Sequence, residues 1–219
     1  MTTEYDRVPD GTVAEIEAHG RVEYMFATPL FSHTFREVTA LNGRLREIIL
    51  ERERTTPSAS KSNQGGWQSV PDFFDWPDPA VSTLEGMIAR VLNAANARVP
   101  LPPNLTVEFE LFGWAAVNRR GHYNTTHLHP QSTWSGVYYV DAGDEAREGP
   151  AALLEFNHPI SGALMDFFPG ILPSARTVRP ETGMIVVFPS YLLHSVRMYH
   201  GERPRICVAF NAHLRGVRK

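Results

Sequence analysis

The first hundred residues carry two stretches in which apolar residues recur every three or four positions, the spacing of an amphipathic helix. In the first stretch these positions are Val38, Leu41, Leu45, Ile48 and Ile49. Upstream, Thr34 and Glu37 stand three residues apart, as in a capping box, in which each side chain satisfies a free backbone N–H at a helix start. The pattern predicts a first helix that begins behind Thr34 and runs to Glu53.

The second stretch has a clearer start signal. Asp78 is followed by Pro79, and an aspartate cap followed by proline in the first turn is typical of helix N-termini. The apolar positions behind them are Val81, Leu84, Ile88, Val91, Leu92 and Ala95. We expect a second helix up to about Arg98, because prolines at positions 100, 102 and 103 end the pattern.

Beyond residue 105 the helical period disappears, and short runs of β-branched and aromatic residues alternate with Gly and Pro. The runs cover residues 106–117, 134–141, 151–156, 175–179, 184–188, 195–199 and 205–212. Without helical segments between them, these runs favour an antiparallel sandwich or a closed jelly roll over a parallel α/β sheet. The fold class is therefore mainly β with flanking helices, and the helices are expected to cover one outer face of the sheet.

Length and composition add a domain prediction to this pattern. The chain has 219 residues, of which 42% are hydrophobic and 21% charged, values typical of a globular protein. We predict a single domain over residues 1–219. Residues 1–104 form N-terminal helical and strand support, and residues 105–213 form the β core.

Charge and targeting signals exclude several classes of partner. The net charge is −3, so the chain lacks the basic field expected of a nucleic-acid-binding protein. The first twenty residues lack the apolar segment of a signal peptide, and no run reaches the length of a membrane helix. Cys207 is the only cysteine, which fits a reducing compartment. We expect a cytoplasmic protein without nucleic-acid or membrane partners, and a homodimer from the general frequency of dimers.

Three of the nine histidines form a candidate metal site. His127 and His129 are two residues apart at what the pattern presents as the entrance to a strand, where such residues point to the same face. His194 follows an apolar run and precedes another predicted strand, so antiparallel pairing would return it to the same end of the barrel. Imidazole suits Fe, Zn, Cu and Ni. The alternative is that the His-x-His pair is an incidental feature of a strand.

Arg205 is a candidate anion ligand, because it begins the otherwise apolar strand Arg-Ile-Cys-Val-Ala-Phe. A guanidinium group in that position matches a carboxylate, which it binds through two parallel hydrogen bonds. The alternative is an exposed arginine at the end of a strand.

Taken in order, these motifs carry a family resemblance. They are residues 121–130 (GHYNTTHLHP), 135–140 (SGVYYV), 188–190 (FPS), His194 and 202–206 (ERPRI). Together with residues 62–69 (SNQGGWQS), the ordered set resembles the bacterial 2-oxoglutarate- and Fe(II)-dependent oxygenases, which have a double-stranded β-helix core. The resemblance spans most of residues 62–213.

The resemblance implies a site for Fe(II) and for 2-oxoglutarate as cosubstrate. His127 takes the place of the first metal ligand and His194 that of the distal one, while Arg205 pairs with the far carboxylate of 2-oxoglutarate. Tyr139 corresponds to a tyrosine that binds the same carboxylate in prolyl-hydroxylase-like relatives. Cys207 stands where relatives commonly carry serine or threonine; a thiol is a weak donor, so its contact with the cosubstrate is in question.

The chain departs from the wider family at the second metal ligand. Relatives use His-x-Asp or His-x-Glu, whereas this chain has His129 in the place of the acid. Either three histidines hold the iron, or a carboxylate such as Glu155 reaches the metal from another strand. We favour three histidines, since the position of Glu155 depends on a strand prediction alone.

The predicted function is that of a non-haem iron, 2-oxoglutarate-dependent oxygenase that acts as a hydroxylase. It uses O2 on a small-molecule or peptide substrate, without catalytic residues beyond the metal ligands. Two alternatives stay open. One is a cupin-type dioxygenase with three histidine ligands and no 2-oxoglutarate, which has no need of Arg205. The other is a non-catalytic β-sandwich binding module. The sequence does not identify the substrate.

Overall fold

The structure is a computed structural model and describes residues 27–59, 62–99, 106–144, 149–159 and 175–218. In chain order its elements are β1 (Phe31–Thr34), α1 (Thr39–Thr55), β2 (Asn63–Gln64), β3 (Trp67–Gln68), α2 (Pro79–Asn96), β4 (Thr106–Asn118), β5 (Tyr123–His127), β6 (Trp134–Asp141), β7 (Leu154–Asn157), β8 (Ala175–Val178), β9 (Met184–Pro189), β10 (His194–Val196) and β11 (Arg205–Arg218). A short 3₁₀ turn, Phe73–Asp75, lies between β3 and α2.

The strands form two sheets in which every recorded pairing is antiparallel. The major sheet has six strands in the order β1-β9-β6-β11-β4-β3, and the minor sheet has five in the order β2-β5-β10-β7-β8. The prediction of an antiparallel β fold with flanking helices is confirmed. Among the described residues, neither helix is long and apolar enough to cross a membrane.

Alternation along the strands divides the interior into two layers. On β6, Tyr138 and Val140 pack with the helices, whereas Val137 and Tyr139 face the minor sheet. The hydroxyl of Tyr138 donates a hydrogen bond of 2.7 Å to Oδ1 of Asn42 on α1, which ties the helix to the sheet. The layer between the helices and the major sheet is large and apolar. The layer between the two sheets is smaller and also contains polar groups. That second layer holds the candidate site.

Helix α2 matches its prediction, and α1 does not begin where it was expected. Asp78 accepts a hydrogen bond of 3.0 Å from the backbone N–H of Ala80, and α2 runs from there to Asn96. The capping box predicted at Thr34 is wrong, because Thr34 is the last residue of β1 and pairs with Met184 of β9. Helix α1 begins five residues later, behind a Val38 that makes no side-chain cap.

The sequence pattern missed β1, β2, β3 and β5, and it ended β11 too early, at residue 212 instead of 218. Three of the missed strands lie before residue 104, so this part of the chain contributes strands to both sheets. The division of the chain at residue 104 stays a prediction.

Candidate functional site

Three histidine side chains meet at one end of the space between the sheets. His127 ends β5 and lies opposite His194, which begins β10. His129 belongs to the loop after β5, where its backbone N–H donates to the carbonyl of Ser190 at 3.0 Å. The ring centroids are 4.3–5.1 Å apart. One potential ligand atom from each ring lies within 4.8 Å of the other two, so the three rings can share one metal ion.

Two of the histidines have one nitrogen engaged by the backbone. Nδ1 of His127 lies 2.7 Å from the carbonyl oxygen of Thr125, and Nδ1 of His194 lies 2.9 Å from that of Leu192. Because a carbonyl only accepts, each Nδ1 carries the proton, which leaves the Nε2 lone pair for a metal. Ser62 Oγ is 3.4 Å from Nε2 of His127, a long contact that a metal could replace.

Burial keeps His127 and His194 in the neutral form that binds metals. It lowers the pKa of His194 to about 4, and the nearby His127 adds to this shift, whereas the hydrogen bond to Leu192 opposes it. Burial also lowers the pKa of His127, against the opposing effect of the Thr125 carbonyl. Deprotonated rings at neutral pH have lone pairs available without a proton first being removed.

A candidate anion-binding end lies deeper between the sheets. Arg205 at the start of β11 is 2% exposed, and its guanidinium carbon lies 5.1 Å from the centre of the Tyr139 ring on β6. Nε of Arg205 and the hydroxyl of Tyr139 are buried and have no hydrogen-bond partner among the described residues. Burial raises the pKa of the Tyr139 phenol to about 12, although the Arg205 charge opposes this shift, so the hydroxyl keeps its proton and can donate. Two buried donors without acceptors form a site that an anion would complete.

Cys207 lies beside these donors. It pairs with Tyr139 on one side and Ala116 on the other, and it is 7% exposed. Burial raises the pKa of its thiol, so the group is a neutral thiol at physiological pH. Arg205 and Cys207 share a face of β11, as their two-residue spacing predicts.

The anion end and the histidines line one pocket, which continues into a larger cavity. The inner pocket has a volume of about 70 Å³ and is bounded by Arg205, Tyr139, Cys207 and all three histidines. The outer cavity has a volume of about 500 Å³ and shares His127, His129 and Trp114 with the inner pocket. His127 and His129 therefore stand at the boundary between a small polar pocket and a wider opening, and His194 lies on the inner side.

Glu155 does not lie with the histidines, which corrects the alternative in which this carboxylate reaches the metal. Its Oε2 accepts a hydrogen bond of 2.7 Å from Nε of Arg197. On β7 it is adjacent to Phe156, the residue opposite His194, so its side chain points to the other face of the sheet. The group of potential metal ligands among the described residues contains the three histidines and no carboxylate.

His127 and His129 do not lie together on one strand, so the local structure predicted for them is wrong. The two residues follow the exit of β5 and do not enter a strand, since only His127 belongs to β5. Their convergence depends on the turn after His127, which the hydrogen bond from His129 to Ser190 holds against β9.

Sequence reasoning missed residues that line the outer cavity, chiefly Phe112, Trp114, Asn211 and His213. A signal was available, because these residues alternate along β4 and β11. Phe112, Trp114 and Asn211 lie within the predicted strands, whereas His213 lies one residue beyond the predicted end of β11.

The model of a family described as "Putative 2OG-Fe(II) oxygenase" matches residues 113–211, the stretch that contains every site residue discussed above except Ser62 and the outer residues Phe112 and His213. No curated protein matches the sequence.

Solved structures share the fold at low sequence identity. A prolyl-4-hydroxylase from Pseudomonas putida has a TM-score of 0.62 and 17% identity, over 85% of this chain and 93% of that one. A Trichoplax adhaerens prolyl hydroxylase, bound to a peptide fragment of hypoxia inducible factor, has a TM-score of 0.60 and 10% identity, over 84% and 83%. HygX from Streptomyces hygroscopicus, with nickel and 2-oxoglutarate bound, has a TM-score of 0.57 and 14% identity, over 85% and 83%. These likenesses confirm the predicted double-stranded β-helix.

Proposed function

We propose that the chain is an Fe(II)- and 2-oxoglutarate-dependent oxygenase in which His127, His129 and His194 hold the metal. The match of residues 113–211 to the family model of 2OG-Fe(II) oxygenases supports this proposal. The observation that carries the proposal is the pocket that joins three converging imidazoles to two buried, unpartnered donors, Arg205 Nε and the Tyr139 hydroxyl. A dicarboxylate that chelates a metal at one end and needs donors at the other fits both halves of this pocket.

The residues present fit the metal and the cosubstrate. Imidazole nitrogens suit Fe(II), and the backbone carbonyls behind His127 and His194 fix the rings so that Nε2 is the ligand atom. When bound, iron and 2-oxoglutarate supply the oxidation of a C–H bond by O2, in which the C–H becomes C–OH and 2-oxoglutarate becomes succinate and CO2.

The protein's own groups position the cosubstrate. The Arg205 guanidinium pairs with the far carboxylate, and the Tyr139 hydroxyl donates a second hydrogen bond to it. Apolar neighbours on three strands, Val137, Leu154 and Phe188, line the inner pocket around these groups and limit the access of water. Burial of this kind strengthens the charge pairing relative to the same pair in water.

We assign the third metal ligand to His129. Glu155 is paired with Arg197 on another face of the minor sheet, so it is not available without breaking that pair. A site of three neutral imidazoles is one unit more positive than one with a carboxylate, which favours an anionic cosubstrate.

Arg205 separates this proposal from a cupin-type dioxygenase that uses no 2-oxoglutarate. A buried guanidinium without a carboxylate partner is costly, and an enzyme without an anionic cosubstrate would gain nothing from it. The substrate is a small molecule or a peptide in this proposal. Location in the cytoplasm and a homodimeric state remain predictions.

The test is an anaerobic titration with Fe(II) followed by 2-oxoglutarate. We expect a weak visible charge-transfer band, typical of a 2-oxo acid chelated to Fe(II), in the parent protein and in a Glu155→Gln control. We expect the band to be lost in His127→Ala and His194→Ala, and in His129→Ala to be lost or shifted in wavelength. A His129→Ala protein with the parent's band and Fe(II) affinity, measured by calorimetry, would overturn the three-histidine assignment. A parent protein without the band would overturn the oxygenase proposal.

A further inference from the structure

One face of the β4–β11 pair runs continuously from the anion end to the outer cavity. Side chains directly opposite each other in an antiparallel pair lie on the same face. From the inside outward, the facing pairs are Arg205–Asn118, Cys207–Ala116, Ala209–Trp114 and Asn211–Phe112. Six residues of strand span about 20 Å, so the row extends well past the small inner pocket. Its inner members line the inner pocket and its outer members the outer cavity.

The chemistry changes along this row from charged to uncharged. No Asp, Glu, Lys or Arg among the described residues lines the outer cavity. Its walls include the rings of Phe112 and Trp114, and the Phe112 ring packs at 4.7 Å against that of His213. Glu110 stands opposite the cavity-lining His213 in the next pair of the row, and its carboxylate is already engaged in an ion pair with Arg215. A charged group of a ligand would find no free counter-ion among the described lining residues and would lose its hydration.

Asn211 supplies an oriented donor within these apolar walls. The buried hydroxyl of Ser135 donates a hydrogen bond of 2.8 Å to Oδ1 of Asn211. This bond orients the amide so that its oxygen faces Ser135 and its nitrogen points away from Ser135. Nδ2 of Asn211 makes no hydrogen bond to another described residue, and the side chain lines the outer cavity. An amide nitrogen donates and does not accept, so its natural partner is a neutral oxygen acceptor.

We propose that the outer cavity binds an uncharged, partly apolar group of the substrate, such as a carbonyl-bearing ring, between Trp114 and Phe112, with Asn211 Nδ2 donating to its oxygen. This proposal rests on the proposed function, because a metal held by the three histidines, two of which line the cavity, would face whatever the cavity holds. It also excludes a cationic group from this position.

The rim of the cavity agrees with an uncharged ligand. Leu128 lines the cavity and is 41% exposed, and Val70, between the cavity-lining residues Ser69 and Pro71, is 54% exposed. Exposed apolar side chains at the rim of a concave site are typical of a binding surface.

The test uses two probes of the same shape and different charge. Benzamide is neutral and offers a carbonyl oxygen, whereas benzamidinium replaces that oxygen with cationic N–H groups. Dissociation constants are measured by NMR titration of the protein loaded with Zn(II) and 2-oxoglutarate, which separates binding from turnover. We expect the parent protein to bind benzamide at least about tenfold more tightly than benzamidinium, the range expected for a satisfied hydrogen bond against an unpaired buried charge.

The sharpest variant is Asn211→Asp, which keeps the acceptor for Ser135 and replaces the donor with a carboxylate oxygen. It should reverse the preference, so that benzamidinium binds more tightly than benzamide. Phe112→Ala should weaken both probes together. The matched control is Asn93→Asp on the exposed side of α2, which makes the same change of charge away from the cavity and should leave the preference unchanged.

Three results would overturn the proposal: equal binding of the two probes by the parent, an unchanged preference in a folded Asn211→Asp protein, or the same reversal in Asn93→Asp. Folding of each variant is checked by circular dichroism and thermal unfolding. The 2-oxoglutarate titration described above is run on the same samples. If 2-oxoglutarate binds and the probe preference is absent, the substrate inference fails while the proposed function stands; loss of 2-oxoglutarate binding itself would instead count against the function.

Discussion

Replacing Arg205 with methionine should make the ligand-free protein more stable and at the same time abolish its binding of 2-oxoglutarate. Arg205 is 2% exposed, its Nε has no partner, and it belongs to none of the ion pairs among the described residues. A charge in this position is tolerated in the absence of ligand at a cost in stability. The bound carboxylate would offset that cost.

The two effects can be weighed from the contacts of Arg205. Burying an unpaired charge costs several kcal/mol even after relaxation of the protein, and methionine removes that cost while filling much of the same volume. The contact over the Tyr139 ring contributes in the opposite direction, by about 2 kcal/mol. We therefore expect a net gain of about 1–3 kcal/mol in the unfolding free energy of the ligand-free variant. Loss of the pair with the cosubstrate should weaken 2-oxoglutarate binding by about 2–5 kcal/mol, or about 30-fold or more.

The assay is chemical denaturation and calorimetry with and without 2-oxoglutarate. The parent should gain stability as 2-oxoglutarate is added, while Arg205→Met should be more stable at the outset and should not respond. Arg120→Met serves as the control, because Arg120 makes an exposed ion pair with Glu202 that contributes little to stability. The reasoning is refuted if ligand-free Arg205→Met is less stable than the parent and binds 2-oxoglutarate with unchanged affinity.

Three further predictions concern the same pocket. Tyr139→Phe should leave the stability of the ligand-free protein nearly unchanged, because its hydroxyl has no partner, but should weaken 2-oxoglutarate binding by about 1.5–3 kcal/mol in calorimetry, the contribution of a hydrogen bond to a charged group. Cys207→Ser should tighten 2-oxoglutarate binding by about 1 kcal/mol, since a hydroxyl donates better than a thiol; if Cys207→Ser and Cys207→Ala both bind like the parent, Cys207 serves only packing. In the metal-free protein, His194 has a folded-state pKa of about 4, below the unfolded value of about 6.5, so its contribution to stability is present above pH 6.5 and is lost, by about 3 kcal/mol, as the pH falls to 4. Urea unfolding at pH 7 and pH 4.5 should show this loss in the parent, and a His194→Asn protein that loses as much would contradict it.

The parts of the fold that could be predicted are those in which local sequence and tertiary context agree. In α2, the Asp78 cap, Pro79 and the apolar period all favour the same helix, and the helix forms there. At Thr34 the local signal is a capping box, but pairing with β9 holds the backbone extended through that residue. Residue pairing between distant segments leaves no mark in the local pattern, which is why the two-residue strands β2 and β3 were missed as well.

The candidate site divides in the same way. His127, His129 and His194 could be singled out by residue type and order, and the structure brings them together. Their local geometry could not be predicted, because His129 reaches the site through a turn held by Ser190 and not through strand alternation. Pairing of Glu155 with Arg197 also lay beyond the sequence, since it depends on the register between β7 and β10.

The register of β11 fixes the core and the site together. Its even-numbered residues from Ile206 to Ala212 pack in the layer under the helices, and its odd-numbered residues from Arg205 onward line the two cavities. A slip of one residue would exchange the two faces. It would place the Arg205 charge in the apolar layer, where nothing pairs with it, and would move Ile206, Val208 and Phe210 into the pocket. The free energy that buries the apolar face therefore also holds Arg205, Cys207 and Asn211 in line, which explains how the strand keeps a costly buried charge in place before any ligand arrives.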